Sequence, residues 1–109
     1  MNQSLKDLQD ILFNRVRLLS KQLDDVTDPA QAQAILDEMR EFNHRVTMVG
    51  GLLFREQSAE LEAKVEAVSK AKRRVDEAIK NIQELNDSLQ VITDFLALVD
   101  EAIDLAKLL

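Results

Sequence analysis

Glu41 and His44 show the E-x-x-H spacing that di-iron four-helix bundles use, with one such pair on each of two helices. His44 is the only histidine in the chain, so one copy cannot supply the second pair. Both residues also fall outside the apolar stripe that contains Met39 and Phe42, which places them on the solvent side of a helix. We therefore expect no metal site and no cofactor.

Adjacent carboxylates recur along the chain and could suggest acid–base catalysis. The doublets are Asp24–Asp25, Asp37–Glu38, Asp76–Glu77 and Asp100–Glu101. Consecutive positions of a helix point about 100° apart, so the two members of a doublet do not converge on one substrate atom. The chain also has no cysteine, a single histidine and no glycine-rich phosphate loop. These features predict that the protein is not an enzyme.

The densest basic run is KAKRR, at positions 70–74. On a helix these residues spread around more than half of the circumference, and Glu66, Asp76 and Glu77 flank them. No nearby aromatic residue could stack on a base. The formal net charge of −6 would also repel a phosphate backbone. We expect no nucleic-acid partner, whereas a basic protein surface would be attracted.

No segment of the sequence is suited to crossing a membrane. The longest apolar stretches without a charge are 48–54 and 95–99, far below the roughly 20 residues that a membrane-spanning helix needs. The first ten residues lack the basic start and apolar run of a secretory signal. The chain has no cysteine and so can form no disulfide, which means that cysteine usage gives no sign of an oxidising compartment. We expect a cytoplasmic protein without a membrane span.

Helix-forming residues dominate the composition, with only one proline and two glycines. Apolar residues recur at intervals of three and four. This pattern predicts a single helical domain over 1–109, with helices at about 4–26, 29–49, 56–86 and 88–109. Ser4, Asp28 and Asp87 are the expected N-caps, and Pro29 suits the first position of the second helix.

Four helical segments of similar length with short connections predict an all-α protein, an antiparallel four-helix bundle. An alternative remains at Asn86, through which the helix could continue. The third and fourth segments would then form one long helix, and the two N-terminal helices would pack on it as in a coiled coil. Self-association through the long helix is expected in that case.

The stretch MVGGLLF, residues 48–54, contains both glycines. We favour a helix stop in which one glycine adopts the left-handed conformation, giving a turn at 50–55. Two alternatives remain open. The segment could be a flexible loop that displays Leu52, Leu53 and Phe54 to a partner, or the glycines could lie inside a helix and allow close helix approach. Two glycines within a helix cost about 2 kcal/mol relative to alanines, which favours the turn.

The last helix is more apolar than the others. One row comprises Leu85, Leu89, Ile92, Leu96, Val99, Ile103 and Ala106, and a second comprises Val91, Phe95, Leu98, Ala102, Leu105 and Leu109. Two rows need cover from two sides, either from the rest of this chain or from a second protein. The candidate partner-binding residues are Leu52, Leu53, Phe54, Asp94, Phe95, Leu98, Glu101 and Leu105.

These observations favour a non-catalytic protein–protein interaction module. The acidic charge and the apolar last helix are typical of a small inhibitor, immunity or antitoxin-type protein, or of a regulator, that binds a partner with a basic surface. One alternative is a self-assembling coiled-coil subunit, present as a homodimer. Another is a membrane-active helical protein in which 52–54 and the last helix open onto lipid.

Overall fold

The computed structural model describes the backbone of residues 1–78 and 85–109 and the side chains of residues 1–77 and 90–109. Its helices are α1 (Gln3–Asp25), α2 (Pro29–Gly50), α3 (Ala59–Ala78) and α4 (Leu85–Lys107). The described residues include no strand. The helices pack as an all-α four-helix bundle, which confirms the predicted fold class.

The helices that are consecutive in each half of the chain run antiparallel. In the α1–α2 hairpin Arg15 reaches Glu38, and in the α3–α4 hairpin Lys64 reaches Glu101. The hairpins are joined by residues 51–58, which we call the crossing loop, and the end of the bundle that it occupies is the loop end.

Helices α1 and α3 are parallel neighbours. Near the start of both, Ser4 accepts a hydrogen bond from Gln57, and farther along, Ile11 and Ser69 line one groove. On the other side of the bundle, the rings of Phe42 in α2 and Phe95 in α4 stack with centroids 5.8 Å apart. The crossing loop therefore connects two helices that lie diagonally across the bundle.

The long-helix alternative is wrong, because α4 folds back along α3. Lys64 Nζ lies 3.6 Å from Glu101 Oε2, whereas a continuous helix would separate these residues by roughly 55 Å. Residues 79–84, which the sequence assigned to the third helix, lie outside the described residues. Helix α4 begins at Leu85, so Asp87, the expected cap, is its third residue.

The sequence predicts the N-cap of α2 correctly but not that of α1. Asp28 caps α2, its side chain accepting from the amide of Ala30 at 3.0 Å, and Pro29 follows. In α1, by contrast, Asn2 takes the role expected of Ser4 and accepts from the amide of Leu5 at 3.1 Å. The helix thus begins one residue earlier than predicted.

All four helices contribute to one hydrophobic core. Its buried side chains include Leu5, Leu8 and Leu12 from α1, Phe42, Val46 and Val49 from α2, Leu61, Val65 and Val68 from α3, and Phe95, Val99 and Ile103 from α4. These positions recur every three or four residues, as expected for helices that each bury one face. The core holds the start of α1, the end of α2 and the start of α3 together next to the crossing loop.

Candidate protein-binding surface

The chain leaves α2 through right-handed turns, so the predicted left-handed glycine is wrong. Gly51 has φ −72° and ψ −11°, and neither glycine has a positive φ. The amide of Leu52 donates to the carbonyl of Val49 at 2.9 Å. Gly50 lies against α1, where a Cβ atom would be 3.3 Å from Nε2 of Gln9, the terminal atom of a flexible side chain.

Asn2 holds the crossing loop against the start of α1. This residue is buried, and its backbone amide donates to the carbonyl of Leu53 at 2.7 Å. Its side-chain amide donates to the carbonyls of Arg55 at 3.1 Å and Glu56 at 3.2 Å. The backbone on both sides of Phe54 is therefore fixed by one residue.

The crossing loop presents Phe54 to solvent. Of the three predicted contact residues at this turn, Leu52 is buried in the core and Leu53 is half-buried against it, whereas Phe54 is 89% exposed. Met1 and Leu108 are also strongly exposed, and both lie at the loop end, where α1 begins and α4 ends. We call Met1, Phe54 and Leu108 the apolar end.

The two apolar rows of α4 are covered mainly by this chain itself. Every row member with a described side chain is buried or half-buried. Phe95 is buried and stacks on Phe42, so it cannot reach a partner in this conformation. Leu98 and Leu105 are half-buried. The second row therefore packs within the bundle, and α4 by itself does not require a second protein.

The acidic residues of α4 with described side chains, Asp94, Asp100, Glu101 and Asp104, form an acidic strip, and three of them pair with cations of the same chain. The ion pairs are Asp100 with Arg45, Glu101 with Lys64 and Asp104 with Lys107. The first is bidentate, with N–O distances of 2.8 and 3.0 Å, and it ties α2 to α4. Asp94 is exposed and accepts from Gln90 at 2.9 Å. The strip is thus a weaker source of attraction than its sequence indicates.

Two of the predicted site residues line an open groove between α3 and α4. This α3–α4 groove has a volume of about 260 Å³ and is lined by Glu60, Ala63, Lys64, Ala67, Leu98 and Glu101. Asp94 lies four residues before Leu98 and Leu105 seven residues after it, spacings that place both on the same face of α4, but neither lines the groove. The structure therefore separates the predicted site into the groove and the apolar end.

The sequence reasoning missed a buried ion pair between α1 and α2. Arg15 is 2% exposed, and its Nε and Nη2 donate to Oε1 of Glu38 at 3.0 and 2.7 Å. Burial raises the pKa of the Glu38 carboxyl, while the charge and hydrogen bonds of Arg15 lower it. Position 15 lies three residues after Leu12 and four before Leu19, so the spacing already placed it on the buried face.

The E-x-x-H pair lies on the surface. Glu41 pairs with Arg45 at 2.9 Å, and His44 is exposed. Within residues 1–77 and 90–109, no cluster of three or more histidine, aspartate or glutamate side chains is arranged to hold a metal ion. None of the helices, as far as they are described, is long and apolar enough to cross a membrane.

Comparison with known proteins identifies no relative: no protein-family model matches the chain, and no curated protein or solved structure gives a significant match.

Proposed function

We propose that this protein is a non-catalytic protein–protein interaction module that binds through its apolar end, with Phe54 as the anchor. The observation that carries the proposal is the combination of an 89% exposed ring with a backbone held on both sides by Asn2. Aromatic side chains are enriched at protein interfaces because one ring buries a large area. Since the loop is ordered before binding, little conformational entropy is lost when Phe54 is covered.

The partner that fits this surface is a protein with an apolar pocket wide enough for an aromatic ring. A net charge of −6 disfavours a phosphate-rich or anionic lipid surface. The partner is then either another protein with basic residues around the pocket or a second copy of this chain, in which Arg55 beside Phe54 would face carboxylates at the pocket. The first kind of partner is compatible with an inhibitor, immunity or antitoxin-type role. The identity of the bound protein would decide among these roles.

Photocross-linking from position 54 tests the proposal. In this experiment, the cells that produce the protein incorporate p-benzoylphenylalanine in place of Phe54 in the full chain. The control carries the same group in place of Phe13, which is 46% exposed on α1. We expect one discrete adduct from position 54 and none from position 13. Unlabelled native protein should compete for this adduct, whereas the Phe54→Asp variant should not.

Two results would contradict the proposed function. One is the same adduct pattern from positions 54 and 13, which would mean random collisions. The other is equal competition by the native protein and by Phe54→Asp, which would mean that the ring does not contribute to binding. The mass of the adduct gives the mass of the partner, including the case in which the partner is this same chain.

A further inference from the structure

We propose that the partner of Phe54 is a second copy of this chain, and that the α3–α4 groove of that copy receives the phenyl ring. This inference rests on the proposed function, in which Phe54 is a contact residue. It adds the identity of the partner and the surface that Phe54 enters.

The α3–α4 groove has the chemistry of an aromatic-binding site. Ala63 and Ala67 are exposed and lie one turn apart on α3, where their short side chains leave space, and Leu98 adds a half-buried apolar wall from α4. By contrast, the groove between α1 and α3 is surrounded by the carboxylates of Asp7, Asp10, Glu62 and Glu66. Ile11 and Val65 also line that groove, but a phenyl ring entering it would displace water from these carboxylates.

The charges beside Phe54 complement the rim of the α3–α4 groove. Arg55 follows Phe54 directly, is exposed, and has its carbonyl held by Asn2. The charged lining of the groove is Glu60, Glu101 and Lys64, and Lys64 already pairs with Glu101 at 3.6 Å. When the ring enters the groove of a second copy, Arg55 brings a guanidinium to two carboxylates, only one of which already has a cation within 4 Å among the described side chains.

The positions of ring and groove allow a closed dimer. Glu60, the first groove residue, follows Phe54 by six positions and lies in the first turn of α3, so both features belong to the loop end. Two copies that meet at their loop ends and are related by a two-fold axis can each insert Phe54 into the groove of the other. Both rings and both grooves are then occupied, so the dimer is closed. Two rings cover much less than a standard interface area, so the dimer is weak and concentration-dependent.

Sedimentation equilibrium of paired variants tests this arrangement. Phe54→Ala removes the ring and keeps the groove, whereas Ala63→Trp fills the groove and keeps the ring. We expect each variant alone to associate at least about 30-fold more weakly than the native chain, the loss typical of a hot-spot residue. An equimolar mixture should form a heterodimer that is weaker than the native dimer but stronger than either variant's homodimer, because one of the two ring–groove contacts is then intact.

Matched substitutions separate this effect from general damage. Phe13→Ala removes another exposed ring, and Ala97→Trp adds a bulky side chain at an exposed position of α4 outside the groove. Both should dimerise like the native chain. Arg55→Glu should weaken the dimer and Glu60→Arg should restore it when the two are combined. Circular dichroism checks that every variant remains folded.

The inference is overturned if the native chain remains monomeric between about 10 µM and about 1 mM, the range in which small interfaces dissociate. It is also overturned if the native chain dimerises while the equimolar mixture of Phe54→Ala and Ala63→Trp associates no more strongly than either variant alone. A monomeric native chain that still cross-links one other protein from position 54 refutes the second copy and supports the proposed function. A monomeric chain without a specific cross-link contradicts both.

Discussion

Arg15 and Glu38 bring opposite charges into the interior between α1 and α2. Their hydrogen bonds of 3.0 and 2.7 Å offset part of the free energy that is lost when both groups leave water. A buried pair of this kind adds little net stability, but removing one partner leaves the other charge without compensation. Residue 15 has the helical spacing of a buried position, but the sequence analysis did not identify it, and its partner comes from another helix, which no local spacing reveals.

Replacing one member of the pair should be more harmful than replacing both. We expect Arg15→Met or Glu38→Leu alone to lower the free energy of unfolding by about 3–5 kcal/mol. The double variant should regain most of this loss, because no isolated charge remains. Urea unfolding of the four proteins measures the coupling. Arg40→Met, which removes an exposed pair with Asp37, is the control and should cost less than about 1 kcal/mol.

The Glu38 carboxyl should titrate at a higher pH in the folded protein than in the unfolded chain. Burial raises its pKa, and Arg15 opposes this shift only in part. Its contribution to stability is therefore fully present below the unfolded pKa and is lost as the pH rises through the folded pKa. Carboxyl carbon-13 chemical shifts, measured with and without urea, report the two midpoints. A folded midpoint at or below the unfolded one would contradict this assignment.

Helix α4 shows what the spacing of apolar residues can and cannot predict. The sequence predicted two apolar rows, and the described members of both rows are buried or half-buried. The same pattern would appear if a second protein covered one row. The spacing of apolar residues indicates which positions are buried but not whether this chain or a second protein buries them. For this reason Phe95 was expected at an interface, whereas it lies in the core.

Phe95→Ala should therefore act as a core substitution. We expect a loss of about 3–5 kcal/mol in the free energy of unfolding, because the cavity also removes the ring that stacks on Phe42. Phe13→Ala, at a partly exposed position, should cost much less. Thermal and urea unfolding compare the two variants. Equal losses would mean that Phe95 does not occupy the core.

The crossing loop depends on Asn2, whose hydrogen bonds to the loop join residues more than 50 positions apart in the sequence. No local pattern reveals such a role, and the sequence pointed to Ser4 as the cap instead. We expect Asn2→Ala to cost about 1–3 kcal/mol, because it removes a helix cap and leaves loop carbonyls without their donor.

Hydrogen exchange measures the same effect locally. In Asn2→Ala the amides of Leu52 and Arg55, which donate within the turn, should exchange faster than in the native chain. Asn43→Ala, at an exposed position of α2, is the matched control and should leave both amides unchanged. Unchanged exchange in Asn2→Ala would show that the loop is ordered by other contacts.

For the whole molecule, the sequence predicted the all-α bundle but not the order in which its helices meet. Each apolar stripe requires a neighbouring helix, and several connections of four helices satisfy that requirement equally. The placement of α1 beside α3 depends on the crossing loop and on contacts such as that of Ser4 with Gln57. The same crossing places Phe54 at the loop end, so the candidate surface could be predicted only in part.

The most direct test of the account follows Phe54 by fluorine NMR. Fluorinated phenylalanine gives four signals, from Phe13, Phe42, Phe54 and Phe95, which single substitutions assign. In dilute protein, a soluble nitroxide should broaden the Phe54 signal strongly and leave the buried Phe42 and Phe95 nearly unaffected. On association, at high protein concentration or with the cross-linked partner added, Phe54 alone should become protected. A Phe54 ring that is protected in dilute protein, or that stays accessible after association, would contradict the account.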